Sequence, residues 1–298
     1  MSGRTGALLI TYNSQAFIEP AVESCRKHGL EVLVVDNASQ DGTAAAVEAL
    51  GGVRLIRNFE NRGFAAAANQ GFRELDCDYV LLLNPDAELL SGVTGMVSEL
   101  ACAGAVGGML VGSDGRPQNG FAVRRFPSAW VLGLEAMGIN RMWPGNPANR
   151  RYRCADVDLG QAADVDQPAG AFLMIRRDAW QRIGGFDEQF FPVWFEDVDF
   201  CLRLKKAGYR IRYTPQAVAR HEGGHSVQAI SDGARQLYWY ESLLRYAAKN
   251  FRAGSRRALC AAVAMGGVLR MIATPVLERS LHPIPIYARV IRLAFRFI

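Results

Sequence analysis

Apolar and polar positions alternate in blocks along the first third of this chain. Short apolar runs at residues 7–12, 31–36, 53–58 and 78–84 are each followed by a longer amphipathic stretch, at 15–28, 43–50, 63–74 and 93–102. Apolar runs of this length predict buried strands, and the intervening stretches predict helices packed over them, which together imply parallel strands joined by crossover helices. Helix starts carry their own signals: Ser39 and Asp41-Gly42 precede Thr43, and Ser91 precedes the segment 93–102. Residues 111–165 break the pattern. They are rich in Gly, Pro, Asn and Arg, carry Trp130, Trp143 and Tyr152, and read as a loop-rich insertion over the mouth of the sheet, where specificity loops sit. Beyond it the pattern predicts a strand at 167–175 containing Gly170 and a short helix at 178–183 closed by Gly184-Gly185. A helix at 196–207 capped by Gly208 and a strand at 209–214 follow.

The tail has a different character. Residues 236–251 form an aromatic-rich helical stretch, 258–277 are almost wholly apolar but for Arg270 and Pro275, and 287–298 set Arg289, Arg292 and Arg296 at helical spacing. The apolar stretch is long enough to be weighed as a membrane span. A mid-segment arginine and two glycines favour a basic amphipathic helix lying in the membrane interface, with helices packed on the body as the alternative. Charge sharpens this picture. The net charge is +5, yet residues 250–298 hold eight arginines against one acid, Glu278, a balance of +7 that leaves −2 for residues 1–249. A near-neutral body with a basic tail excludes a uniformly basic nucleic-acid binder and points to an anionic membrane surface.

Half of the 298 residues are hydrophobic, enough for a full core. The expected architecture is α/β: a mainly parallel central sheet flanked by helices over 1–229, then C-terminal amphipathic helices over 230–298. The six cysteines have no metal-ligand or redox spacing, so reduced thiols in a cytosolic compartment are expected. The chain enters its first strand almost at once, without the order of a secretion signal.

Candidate chemistry clusters at strand ends. In open parallel sheets ligands bind at the carboxyl ends of strands, and there stand Thr11-Tyr12-Asn13, Asp36-Asn37, Asn58 and Asn84-Pro85-Asp86. Neither the dinucleotide glycine fingerprint nor a phosphate loop is present, so a nucleotide is expected to be held by side chains and a metal. Asp86 is a hard oxygen ligand suited to Mg or Mn bridging a diphosphate, or simply a turn residue. Asp36 suits the imide N–H of uracil or thymine, or caps an Asx turn. Arg62 suits a phosphate, and Gly63 a close backbone approach to a ligand, against ordinary helix packing. In Phe195-Glu196-Asp197-Val198-Asp199, acids at a helix start also answer to capping and the helix dipole. Asp199 pairs with Arg203 and is assigned to structure. Asp197, next to Trp194 and Phe195, has the apolar setting of a catalytic base. His221 suits a metal shell, a phosphate, or a loop hydrogen bond, and His225 is the weaker candidate of the two.

Together these motifs resemble family 2 glycosyltransferases of the GT-A type, in particular their bacterial rhamnosyltransferase-like branch. The carriers are Thr11-Tyr12-Asn13, Val34-Val35-Asp36-Asn37-Ala38-Ser39-Gln40-Asp41-Gly42-Thr43, Asn61-Arg62-Gly63-Phe64 with Asn69, Leu83-Asn84-Pro85-Asp86, Gly170-Ala171-Phe172, Gly184-Gly185-Phe186-Asp187-Glu188, the acidic run at 195–199, and His221. They span residues 6–226 and leave the tail outside. The resemblance implies that Thr11, Tyr12, Asn13, Asp36, Asn37, Arg62, Gly63, Asn69, Asn84 and Gly170 line the nucleotide-sugar site, with Asp36 on the base. It implies that Asp86 is the last carboxylate of a metal-binding Asp-x-Asp whose first is replaced by the neutral Asn84, which gives His221 more weight as a ligand. It makes Asp197 the base that deprotonates an acceptor hydroxyl, with Glu196 positioning acceptor or base, in a single displacement with inversion.

The expected activity is an inverting, metal-dependent transfer of L-rhamnose from dTDP-L-rhamnose to a glycan or polyprenyl-linked acceptor, on the inner face of the cell membrane. UDP- or GDP-sugars are the alternative donors, nucleotidyl transfer lacks its usual loop, and a non-catalytic sugar-nucleotide-binding protein is the alternative of another class.

Overall fold

The computed structural model describes residues 3–223, 230–278 and 283–298. Its strands are β1 (Thr5–Thr11), β2 (Glu31–Asp36), β3 (Arg54–Arg57), β4 (Tyr79–Leu83), β5 (Ala87–Ser91), β6 (Ala105–Val111), β7 (Val123–Arg124), β8 (Ala163–Asp164), β9 (Gln167–Pro168), β10 (Phe172–Arg176) and β11 (Ile211–His221). Among the described residues a nine-stranded sheet runs β3-β2-β1-β4-β10-β6-β11-β5, with β8 pairing β11. The pairs β3–β2, β2–β1, β1–β4 and β6–β11 are parallel. Strand β10 enters antiparallel between β4 and β6, and β5 lies antiparallel on β11.

The run of apolar residues in β1, β2 and β4 has a direct cause. These strands are buried over nearly their whole length, as a sheet covered by helices on both faces requires. Leu9, Val34, Leu81, Val106 and Met174 join Ile18 and Val22 of the helix Ile18–Lys27 in one core. Register fixes the site's edge. Thr11 pairs Asp36, Asp36 pairs Arg57, and Leu8 pairs Leu82. The ends of β1 and β2 and the turn after β4 therefore leave the sheet on one side.

Several elements differ from the sequence pattern. The stretch 167–175 is two strands, β9 and β10, with Gly170 in the break, where Phe172 N–H turns back to the Ala169 carbonyl at 3.3 Å. Strand β11 continues past the expected end at 214 through a register shift between Thr214 and Val218, so His221 is its last residue and not part of a following loop. The segment after the Asp86 turn is strand β5. Residues 111–165 are loop-rich as expected, but they also contain the helices Ala129–Ala136, Ile139–Met142 and Pro147–Tyr152. Ala129–Ala136 is apolar on almost every side (AWVLGLEA), so it has no periodicity to read.

The chain forms two compact units. One comprises Met1–Arg125, Arg153–Pro192 and Glu196–Ala229, and holds the sheet. The other comprises Phe126–Tyr152, Val193–Phe195 and Ile230–Ile298. The second unit is helical: Ala129–Ala136 joins Asp232–Asn250, Ala253–Glu278 and Pro283–Arg296. Leu132, Leu243, Leu244, Tyr246, Leu259, Val263, Tyr287 and Val290 are buried there. All six cysteines are free thiols, and burial pushes the Cys25 thiol up to about 12.

Candidate functional site

At the ends of β1 and β2 the polar residues form a connected network. Asp36 is buried, 3% exposed, and its Oδ1 accepts from the Ser39 hydroxyl and backbone N–H. Asn37 donates from Nδ2 to Asn61 Oδ1 at 2.9 Å and accepts at Oδ1 from Asn58 Nδ2 and Arg62 N–H, both at 3.1 Å. The Asn13 side chain accepts from Gln40 N–H at 2.7 Å, and Asn13 N–H donates to Ser39 Oγ at 2.8 Å. Loops after β1, β2 and β3 are thus stitched into one rim with Tyr12 half-buried beside Thr11. Thr11, expected to line the nucleotide site, is wholly buried at the end of β1, and its hydroxyl has no hydrogen-bond partner among the described residues.

The turn after β4 carries the first acid. Asn84, half-buried, donates its N–H to the Ala171 carbonyl at 3.0 Å and accepts from Ala87 N–H at 3.1 Å, which holds Asp86 in the turn. Glu222 N–H closes on the Asp86 carbonyl at 3.2 Å, and His221 pairs Ala87 across β11 and β5. These contacts bring His221 Nε2 to 3.6 Å from Asp86 Oδ1, with both side chains nearly fully buried.

The state of that histidine follows from a residue the sequence pattern did not single out. Gln118 Nε2 donates to the His221 carbonyl at 2.7 Å. The amide oxygen of Gln118 is therefore the atom that meets His221 Nδ1, at 3.1 Å, and an amide oxygen only accepts. Nδ1 thus carries a hydrogen, and Nε2 is the nitrogen turned towards Asp86. Phe121 stacks on the ring at 5.2 Å between centroids. No group of three or more His, Cys, Asp or Glu side chains that could hold a metal occurs among the described residues. Asp86 and the neutral form of His221, fixed through its far nitrogen, offer one oxygen and one nitrogen donor to a cation whose other ligands the substrate would supply. Gln118 lies 103 residues from His221 within Arg116-Pro117-Gln118-Asn119-Gly120, which locally reads only as a turn. The parallel pairing of Val111 with Arg220 brings it there.

The second acid starts the helix Glu196–Lys206. Asp197, half-buried, accepts at Oδ2 from Gln167 Nε2 at 3.2 Å and Gly170 N–H at 3.1 Å, and at Oδ1 from Val198 N–H at 2.8 Å. Both oxygens are oriented, and Oδ1 keeps accepting capacity. A Cβ at Gly170 would lie 3.2 Å from Asp197 Cβ. The two acidic segments converge here: Gly170 holds Asp197, and its neighbour Ala171 holds the Asp86 turn. Glu196, one residue earlier, is buried.

Other expectations are corrected. The setting of Asp197 is polar, because the Phe195 ring packs instead on Trp239 and Tyr246, with centroids 6.3 and 5.5 Å away. Gly63, at φ 79°, makes room for the chain's own Phe191-Pro192 and not for a ligand: a Cβ would lie 2.9 Å from the Phe191 ring, and Phe64 N–H donates to the Pro192 carbonyl. Asn69 is withdrawn from the nucleotide site. Its Nδ2 donates to Phe186 O and Glu188 Oε1, and its Oδ1 accepts from Trp180 Nε1 and Phe186 N–H, so all four positions of the amide are used inside the fold. Arg62 has its side chain exposed at the rim. Asp199 is structural as expected, but wholly buried, with Arg203 Nε at 2.7 Å. His225 lies outside the described residues.

Comparison with known proteins points the same way. The family described as glycosyl transferase family 2 matches residues 7–180, and glycosyl transferase family group 2 matches 160–284. An N-acetylglucosaminyl-diphospho-decaprenol L-rhamnosyltransferase of Mycobacterium tuberculosis (strain CDC 1551 / Oshkosh) is 31% identical over 236 residues, 73% of this chain and 75% of that one. The rhamnosyltransferase WbbL of Escherichia coli (strain K12) is 28% identical over 198 residues, 63% and 69% of the two chains. Among solved structures, the mannosyltransferase PcManGT from Pyrobaculum calidifontis, in complex with GDP-Man and Mn2+, shares the fold at a TM-score of 0.58 and 19% identity, over 100% of this chain and 87% of that one.

Proposed function

Because this chain belongs to glycosyl transferase family 2, and is a glycosyltransferase, we propose that it is an inverting, metal-dependent enzyme. Its substrates are dTDP-L-rhamnose and a hydroxyl of a glycan or polyprenyl-linked glycan of the cell envelope. The rhamnosyl and lipid-linked parts of this reading are supported by what the relatives' names describe. The observation that carries the chemistry is the meeting of the Asp86 turn and Asp197 on the Gly170-Ala171 backbone.

Asp36, held at one oxygen by Ser39, presents its other to the imide N–H of the base, and the Asn37 network shapes the rim around the nucleotide. Asp86 and His221, beside Asn84, would hold the cation, which when bound neutralises the diphosphate leaving group. Asp197 takes the proton of the acceptor hydroxyl. The acceptor oxygen bonds to the anomeric carbon as the bond to diphosphate oxygen breaks, and that electron pair leaves with the nucleotide. Attack opposite the leaving group inverts the carbon. Gln167 and Gly170 fix the base so that little reorientation is needed in the transition state. The basic helical unit keeps the enzyme at the inner membrane face, where a polyprenyl-linked acceptor resides.

The test is donor turnover by wild type and by Asp197→Asn, with nucleotide binding followed by thermal shift against a panel of sugar nucleotides. Transfer that vanishes in Asp197→Asn with binding kept supports the reading. No turnover by wild type would leave a binding protein.

A further inference from the structure

The second unit joins the insertion 126–152 to the C-terminal helices, and that union has a surface of its own. The helix Ala129–Ala136 packs on Ala253–Glu278 through small residues. Gly133 leaves only 3.4 Å between a Cβ built there and Ala262 Cβ, and Gly266 has no room for a side chain against the Ala136 carbonyl. Arg270 completes the joint. Its guanidinium donates to the Ala136 carbonyl at the end of that helix and to the Gly266 carbonyl, and lies 5.9 Å from the Tyr287 ring centroid. The charge inside the apolar stretch is therefore turned inward, where it satisfies a helix-end carbonyl.

The outward face keeps no charge in its middle. Met265, Val268, Leu269 and Ile272 are 57, 43, 50 and 67% exposed, and the spacing i, i+3, i+4, i+7 puts them on one stripe. The insertion adds Trp130, Met142 and Trp143, at 68, 78 and 60% exposed. Exposed arginines stand on the same elements: Arg141 and Arg150 in the insertion, Arg252 and Arg257 before and at the start of the long helix, and Arg289, Arg292 and Arg296 on the last helix. Across the unit there are fourteen Lys or Arg and four Asp or Glu, a net charge of +10. Aromatic and aliphatic exposure combined with basic charge fits an anionic lipid surface, where tryptophan sits at headgroup depth and arginine meets phosphate.

Resting on the membrane-face reading above, we infer that the insertion 126–152 is part of the membrane seat and not only a substrate loop: Trp130, Met142 and Trp143 enter the anionic leaflet together with the Met265–Ile272 stripe. The mode is interfacial. The stretch Ala253–Thr274 has the length and composition to cross a bilayer, yet a third of its apolar window is buried, and Arg270 is tied into the packing on Ala129–Ala136.

The experiment uses the full-length protein and sedimentation with vesicles of phosphatidylethanolamine and phosphatidylglycerol, 3:1 by design, against phosphatidylcholine alone. Trp130→Ser/Trp143→Ser and Leu269→Ser/Ile272→Ser should each lower partitioning into anionic vesicles at least about tenfold. Trp130→Phe/Trp143→Phe and Phe59→Ser, an exposed residue of the other unit, should bind as wild type. Unchanged melting temperatures show that these surface variants fold, and alkaline carbonate should strip the wild type from the vesicles. Wild-type binding by the Trp130→Ser/Trp143→Ser variant overturns the proposal. So does carbonate resistance, which means a span, or a wild-type dimer in free solution that Leu269→Ser/Ile272→Ser dissociates, which means a contact between copies. Transfer to a soluble acceptor is scored separately: vesicle binding without any transfer sinks the transferase reading and leaves this one standing.

Discussion

Gly170 N–H donates to Asp197 Oδ2 at 3.1 Å, and the following carbonyl, of Ala171, accepts from Asn84 N–H at 3.0 Å. Two adjacent residues of one strand break thus position both acids. The break itself is what frees the Gly170 N–H from the β-ladder. Gly170→Val should push Asp197 away from the reacting geometry, since even a Cβ there stands 3.2 Å from Asp197 Cβ. We expect a fall in kcat of about 100-fold with nucleotide affinity kept, measured by steady-state transfer and thermal shift. Equal kcat would show that Asp197 needs no such support.

Asp86→Ala should weaken sugar-nucleotide binding when Mn2+ is present and leave binding in chelator unchanged. The same loss with and without metal would remove Asp86 from the ligand set. Titration by calorimetry in both conditions separates these outcomes.

Gln118→Leu removes the acceptor that keeps hydrogen on His221 Nδ1 and the donor to the His221 carbonyl. Mn2+ affinity should fall about 10–100-fold, the usual scale for losing the group that orients a histidine ligand, while the melting temperature moves little. Electron paramagnetic resonance of free Mn2+ reads this without any turnover.

Asn69→Ala should act on stability and not on the nucleotide. It leaves Trp180 Nε1, Phe186 N–H and Phe186 O without their buried partner, at a cost of about 3 kcal/mol. Urea unfolding should show the loss, and the folded fraction should bind nucleotide as wild type. A selective loss of binding would return Asn69 to the site.

Asp199→Ala leaves Arg203, 20% exposed at its side chain, with the Ile183 carbonyl but without its wholly buried carboxylate partner. Breaking such a pair costs about 3–5 kcal/mol, far above the value of an exposed helix pair. A change below about 1 kcal/mol in urea unfolding would mean that Arg203 finds water or another acceptor.

The sequence by itself determined the strands of the first half and the edge at which polar residues gather, and it singled out Asp86 and Asp197 as the candidate acids. Continuous apolar runs report burial on both faces, and strand-end polar residues have few other reasons to stand there. Local sequence also marked Asp199 as structural, through its spacing to Arg203. What only the tertiary structure decided involves contacts between residues far apart in the chain. Asn69 bonds to residues 111 to 119 positions away, and Gln118 meets His221 across 103. The Gly63 turn accommodates Phe191-Pro192, and the 126–152 helices join the tail. A motif letter records that a residue is needed. Whether a buried amide spends its hydrogen bonds on a ligand or on its own fold depends on which distant groups the packing brings within 3 Å.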